Sequence, residues 1–171
     1  ATVEMGIATF KPDALPCSLN VPELIQQPIE AGGRSLIFTG VSVGNPHCVV
    51  FKPAGESWSR DELLAFGPAL EHHKLFPKRT NVQLVVPTGR NEVFILIWER
   101  GAGETQASGS SSCAAASAAV RLGLVRSPVT VKMPGGVLNI DVAPDFSLTM
   151  KGPVAEVARG TVSPSFIRGL K

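Results

Sequence analysis

The sequence predicts an α+β domain in which a curled, barrel-like sheet of antiparallel and mixed strands surrounds one central helix. Two observations lead there. Eight short β-branched and apolar runs lie along the 171 residues, separated by Gly and Pro, the punctuation of a strand-rich chain. Between them, Ser111 to Leu122 has helical character but is small and apolar almost all round. A helix with no solvent stripe must be enclosed. Alanine at Ala114, Ala115, Ala116, Ala118 and Ala119 lets surrounding strands come close.

Taken in order, strands are expected at Ser35–Thr39 and Cys48–Phe51. An amphipathic helix follows at about Arg60–His73, with Ser59 as N-cap and Leu63, Leu64, Phe66 and Leu70 on one face. Val82–Val86 and Glu92–Trp98 are strands hinged at Pro87-Thr88-Gly89. The central helix stops at Gly123, a left-handed cap. Val129–Lys132, Val137–Val142, Ser147–Met150 and Val154–Ala158 complete the strands, the first two joined by the Pro134-Gly135-Gly136 turn. No internal repeat or low-complexity linker interrupts the chain, so residues 1–171 read as a single domain.

Composition narrows the function classes. At 44% hydrophobic the chain can bury a substantial core. A net charge of +2, with no dense Lys/Arg cluster, argues against nucleic acid as a partner. Cys17, Cys48 and Cys113 are odd in number and lack CxxC spacing, which argues against a disulfide framework or a zinc site, so no metal is expected. No apolar run approaches a membrane span. A soluble, cytoplasmic protein with no membrane partner is the expectation.

The chemistry concentrates between Trp98 and Val120. A strand ends in the adjacent charges Glu99 and Arg100. A loop with Gly101, Gly103 and Gly109 then leads through serines into the central helix. Unpaired N–H groups and the helix dipole converge at such a helix start and favour an anion, and glycine lets a ligand approach the main chain. Gly109 and Ser110 supply those N–H groups. The neighbouring acid–base pair points to a small zwitterion. Asn45 and His47 sit in a Gly-Asn-Pro-His turn, where the amide offers a donor and an acceptor. Asn81 opens a strand. His72 and His73, at the end of the amphipathic helix, read as solvated capping charge.

These motifs resemble the second half of the diaminopimelate epimerase family. ERGAGET at Glu99–Thr105 is similar to the family's ERGxGET, followed by a loop similar to its ACGTGACA. GNPHCVVF at Gly44–Phe51 resembles its GNPHCV, and RTNVQLV at Arg79–Val85 its RxNVxF. MPGGVLNIDV and LTMKGPVAEVARGTV resemble its closing strands, and VEMG at Val3–Gly6 the strand that opens its second half. The resemblance implies one of two pseudo-symmetric lobes. The family's first half, with a CGNG-type loop and a second catalytic cysteine, is absent from this sequence. By resemblance the function is that of a cofactor-independent amino-acid racemase or epimerase acting at an α-carbon, in lysine and peptidoglycan precursor synthesis. Asn45, Asn81, Glu99, Arg100, Gly109 and Ser110 are then substrate-binding. Ser108, His47 and Glu99 occupy the catalytic positions.

One of those positions is altered. The family carries a catalytic cysteine where this chain has Ser108. A thiol near a helix N-terminus can be tuned to exchange a proton, whereas a serine hydroxyl gives no useful alkoxide without a dedicated base. His47 is the candidate base. Cys48 follows His47 directly, so strand alternation points it to the opposite face, and Cys48 and Cys113 read as packing residues. Three readings follow. The first is an epimerase-family protein with its first lobe supplied elsewhere. The second is a phenazine-biosynthesis-type isomerase, which the GNPH and ERGAGET stretches fit less well. The third is a noncatalytic amino-acid-binding or oligomer-forming half subunit. Expected partners are a small amino acid and either a second copy of the chain or a complementary first-half lobe.

Overall fold

A computed structural model describes residues 1–170. The strands are β1 (Thr2–Ile7), β2 (Gln27–Ala31), β3 (Arg34–Ser42), β4 (Pro46–Phe51), β5 (Asn81–Gly89), β6 (Glu92–Glu99), β7 (Gly103–Thr105), β8 (Val129–Met133), β9 (Gly136–Val142) and β10 (Ser147–Lys151). The helices are α1 (Arg60–Glu71), α2 (Gly109–Arg121) and α3 (Pro164–Arg168). One mixed sheet runs β1-β10-β9-β8-β6-β5-β4-β3-β2, with β7 appended to β6. The β4–β5 and β6–β8 pairs are parallel and the others antiparallel.

Just past β1, Thr9 exchanges two backbone hydrogen bonds with Ser42 at the end of β3 (3.0 and 2.8 Å). This carries the β1 side of the sheet round towards β3, so the sheet curls about α2. That helix touches β3, β4, β5, β6, β8, β9 and β10, and Ser111 through Ala119 are all buried. The enclosed alanine helix is therefore where the sequence placed it. Its stop is also as expected. Gly123 takes φ +69°, its N–H bonds the Val120 carbonyl (3.0 Å), and the Leu124 N–H reaches back to Ala119 (2.9 Å), the paired bonds that close a helix at a left-handed residue.

Two cores result from strand alternation. Val41, Val49, Val85, Val93, Ile95 and Ile97 face α2. Cys48, Val50, Val82, Leu84 and Val86 face the opposite way, against Trp58, Leu63, Phe66 and Leu70 of the α1 layer. Helix α1 starts in a full capping box: Ser59 Oγ accepts from the Glu62 N–H (3.1 Å), and the Glu62 carboxylate accepts from the Ser59 N–H (2.9 Å). No described helix is long and apolar enough to cross a membrane.

Some elements depart from the sequence reading. Val154–Ala158 is not a strand. Among the described residues it pairs with no strand, and Val154 and Val157 are 76% and 95% exposed. Strand-like composition produces a strand only where a neighbouring edge supplies hydrogen bonds. Conversely β2, with Pro28 and Glu30, escapes a composition-based reading. It forms as an edge strand on β3, where a proline is tolerated. Helix α1 ends at Glu71 rather than His73, and α2 begins at Gly109 rather than Ser111. The short α3, capped by Ser163, carries no sequence expectation.

Candidate functional site

The sheet register assembles the site. Parallel pairing of β4 with β5 sets His47 beside Asn81. Antiparallel pairing of β5 with β6 sets Val82 beside Trp98, so Glu99 falls level with Asn81 one step further on. His47, Asn81 and Glu99 thus line neighbouring strands on the face that carries Val49, Val85 and Ile97, the face α2 covers. The same face brings Gln83 to the helix start, where its Nε2 donates to Ser111 Oγ (3.0 Å).

His47 is fully buried, and its Nε2 lies 2.9 Å from Asn45 Oδ1. Its Nδ1 and the Oε1 of Gln83 are both buried without a hydrogen-bond partner of good geometry. Burial pushes the imidazole from its ordinary 6.5 down to about 3. Gln83 offsets this only in part, and the Arg100 charge adds to it. The ring is therefore neutral at pH 7. Ser108 is not among its partners, so the structure does not join the serine to the base the sequence offered.

Asn81, 7% exposed, donates from Nδ2 to the Pro46 carbonyl (2.8 Å) and accepts at Oδ1 from the Arg100 N–H (2.9 Å). It ties the Gly-Asn-Pro-His turn to the Glu99–Arg100 turn. Glu99 and Arg100 do not pair with each other. The Arg100 guanidinium is exposed and donates to the Lys78 carbonyl (3.2 Å). Among the described residues the half-buried Glu99 side chain makes no hydrogen bond or ion pair, so this pair is not a salt bridge at a sheet rim.

Ser108 is the N-cap of α2. Its Oγ accepts from the Ser111 N–H (3.4 Å), and its carbonyl accepts from the Ser112 N–H (3.1 Å) and hydroxyl (2.8 Å). The first full helical bond begins at Ser112, so Gly109 and Ser110 N–H have no intrahelical partner. The preceding loop is fixed by Gly135, whose N–H donates to the Gln106 carbonyl (2.7 Å). A side chain at position 109 would place its Cβ 3.1 Å from Met150 Sδ, so glycine lets the helix start pack closely against that methionine. Beside it lies a shallow cavity of about 260 Å³ lined by Ser108, Gly109, Met133, Leu138 and Pro153.

No cysteine reaches this place. Cys48 is buried in the α1-side core, with its thiol pushed up by burial. Cys113 packs in the α2-side core with its thiol pushed up to about 12 by burial. Both are packing residues, Cys48 on the face that strand alternation implied. Among the described residues no group of three or more His, Cys, Asp or Glu side chains is placed to hold a metal ion. His72 is exposed and sets its Nδ1 3.1 Å from the Pro68 carbonyl at the helix end, consistent with a cap. His73 instead is half-buried and accepts from the Leu75 N–H (3.2 Å).

A family model described as diaminopimelate epimerase matches residues 39–157, which hold every site residue above. This chain belongs to the diaminopimelate epimerase family. It is 42% identical over 165 residues to the diaminopimelate epimerase of Synechococcus sp. (strain JA-3-3Ab), covering 95% of this chain and 58% of that protein. To the diaminopimelate epimerase of Azotobacter vinelandii it is 43% identical over 161 residues, covering 94% of the chain and 57% of the relative. The chain thus spans rather more than half the length of these relatives. A predicted epimerase from Pseudomonas aeruginosa matches in structure with a TM-score of 0.51 at 20% identity, over 87% of this chain and 53% of that one, a likeness of fold.

Within this epimerase-family chain, sequence reasoning missed three supporting side chains. Gln83 had a signal, a polar residue two positions after Asn81 and hence on the same strand face. Ser111 follows Ser108 at the spacing that a helix cap requires. Glu71 had none: it stands at the last position of α1, and only the fold brings it to the Glu99–Arg100 turn.

Proposed function

We propose that this chain is the ligand-holding second lobe of a diaminopimelate epimerase-like isomerase, cofactor-independent and acting at the α-carbon of an amino acid. In this lobe Ser108 holds the ligand site in shape and does not exchange the α-proton. Gly109 and Ser110 N–H and the α2 dipole take the α-carboxylate. Arg100 adds positive charge, and Glu99 and Asn45 meet the ammonium. The observation that carries this reading is the Ser108 hydroxyl itself. It caps α2 and makes no bond to His47, and the Cys48 and Cys113 side chains are packed into the two cores.

The same observation favours a second reading, a noncatalytic amino-acid-binding or oligomer-forming subunit. Val3 and Ile7 on β1 are 44% and 63% exposed, apolar area suited to a second copy or a complementary lobe. The decisive experiment is α-proton exchange of diaminopimelate by NMR in deuterated buffer. Wild type, Ser108→Cys, and Ser108→Cys mixed with a complementary cysteine-bearing lobe are compared. We expect no stereoinversion by the wild-type chain alone, and inversion only in the mixture. Binding without exchange in all three supports the second reading. Stereoinversion by wild type alone overturns both.

A further inference from the structure

We propose that Glu71 is a positioning residue that holds the Glu99–Arg100 turn in its ligand-ready form, an inference that rests on the site reading above. A carboxylate at the last residue of a helix faces the negative end of the dipole, so its placement requires compensation from elsewhere. Glu71 is 3% exposed and is met by donors from three segments. Trp98 Nε1, on β6, donates to its Oε2 (2.8 Å). The Gly101 N–H donates to its Oε1 (2.9 Å), and Arg79 Nη1 approaches the same oxygen (3.3 Å).

The two residues gripped at Oε1 flank the site. Gly101 directly follows Arg100, and Arg79 precedes Asn81 by two. Both take left-handed backbone conformations, φ +81° and +59°. For a non-glycine residue such as Arg79 that conformation persists only when surrounding contacts impose it. The Arg100 N–H then closes the arrangement on Asn81 Oδ1 (2.9 Å). One buried carboxylate therefore sets the start of β5 and the end of β6 together, and with them the backbone that aims Glu99 and Arg100.

The test uses Glu71→Gln, which keeps the shape but replaces one acceptor oxygen by NH2, and Trp98→Phe, which removes one donor. Two readouts are taken on the full chain: amide hydrogen exchange at Arg100 and Gly101, and calorimetric binding of diaminopimelate. Glu71→Gln is expected to speed Gly101 and Arg100 exchange about tenfold or more, leave exchange in β3 and β4 unchanged, and weaken binding about tenfold. Trp98→Phe should move both readouts in the same direction by less. Loss of global stability with wild-type affinity and wild-type turn exchange would reduce Glu71 to a fold residue and overturn the proposal. Should Glu71→Gln not fold, Trp98→Phe decides by the same criteria. Absence of binding by wild type would sink the site reading, and the turn exchange would then decide the role of Glu71 by itself.

Discussion

Acid should destabilise this protein through His47 in particular. Its imidazole is fully buried, and its pKa stands at about 3 in the fold against 6.5 when unfolded. A depressed folded value means that the unfolded chain takes up the proton first. The stability is therefore complete above pH 6.5 and is lost as pH falls from there towards 3. Each pH unit in that window costs about 1.4 kcal/mol, so the passage from pH 7 to pH 4 removes about 3 kcal/mol through this one ring. Glu62, Glu71, Glu92 and Asp145 are also held below their ordinary values, and they too lose stability in acid. They are common to wild type and a His47→Gln variant, so the difference between the two isolates the histidine. Urea unfolding of both proteins at half-unit steps from pH 7 to 4 is the assay. The stability advantage of wild type should shrink by about 3 kcal/mol across the range. Parallel pH curves would show that the ring titrates normally in the fold and that its burial does not govern its charge.

Other perturbations test packing and site separately. Gly67 lies against the indole of Trp98, where an added Cβ would meet ring carbons at 2.6–2.8 Å. Gly67→Ala gains about 1 kcal/mol of helix propensity but costs about 1–3 kcal/mol of overpacking. Disturbing the Trp98–Glu71 hydrogen bond adds about 1 kcal/mol or more. A net loss of about 1–3 kcal/mol in chemical denaturation is expected, with altered tryptophan fluorescence; a stabilised variant would refute the contact. Ser108→Ala removes a long N-cap bond and should cost about 0.5–1 kcal/mol, measured by thermal melting. Arg100→Ala should weaken diaminopimelate binding by about 1–2 kcal/mol, the low end for a charge-assisted bond because the group is exposed. Unchanged affinity in calorimetry would remove Arg100 from the site.

Local chemistry written in the sequence determined much of this protein. A helix of alanines and serines with no polar stripe must be enclosed, and α2 is. A glycine after Leu122 ends that helix because only a left-handed residue there allows both closing bonds. Strand alternation placed Cys48 away from His47, since successive side chains leave a strand on opposite faces. The motifs at Gly44–Phe51, Arg79–Val85 and Glu99–Thr105 identified the family before any contact was known. Long-range geometry decided the rest. Val154–Ala158 has the composition of a strand but pairs with no described strand, and Gln27–Ala31 lacks the composition but pairs with β3. Asn81, legible as a ligand-contacting amide, spends one donor and one acceptor on Pro46 and Arg100 because the register of β4, β5 and β6 brings those groups to it. Ser108 stands at a proton-exchange position and His47 is its candidate base, yet each is committed to other partners, Ser111 and Asn45. Glu71 stands 28 positions before Glu99 in the chain, and only the docking of α1 on β6 turns it into the carboxylate on which the turn hangs. Residue type governs what a group can do; the distance at which the fold sets its partners governs what it does.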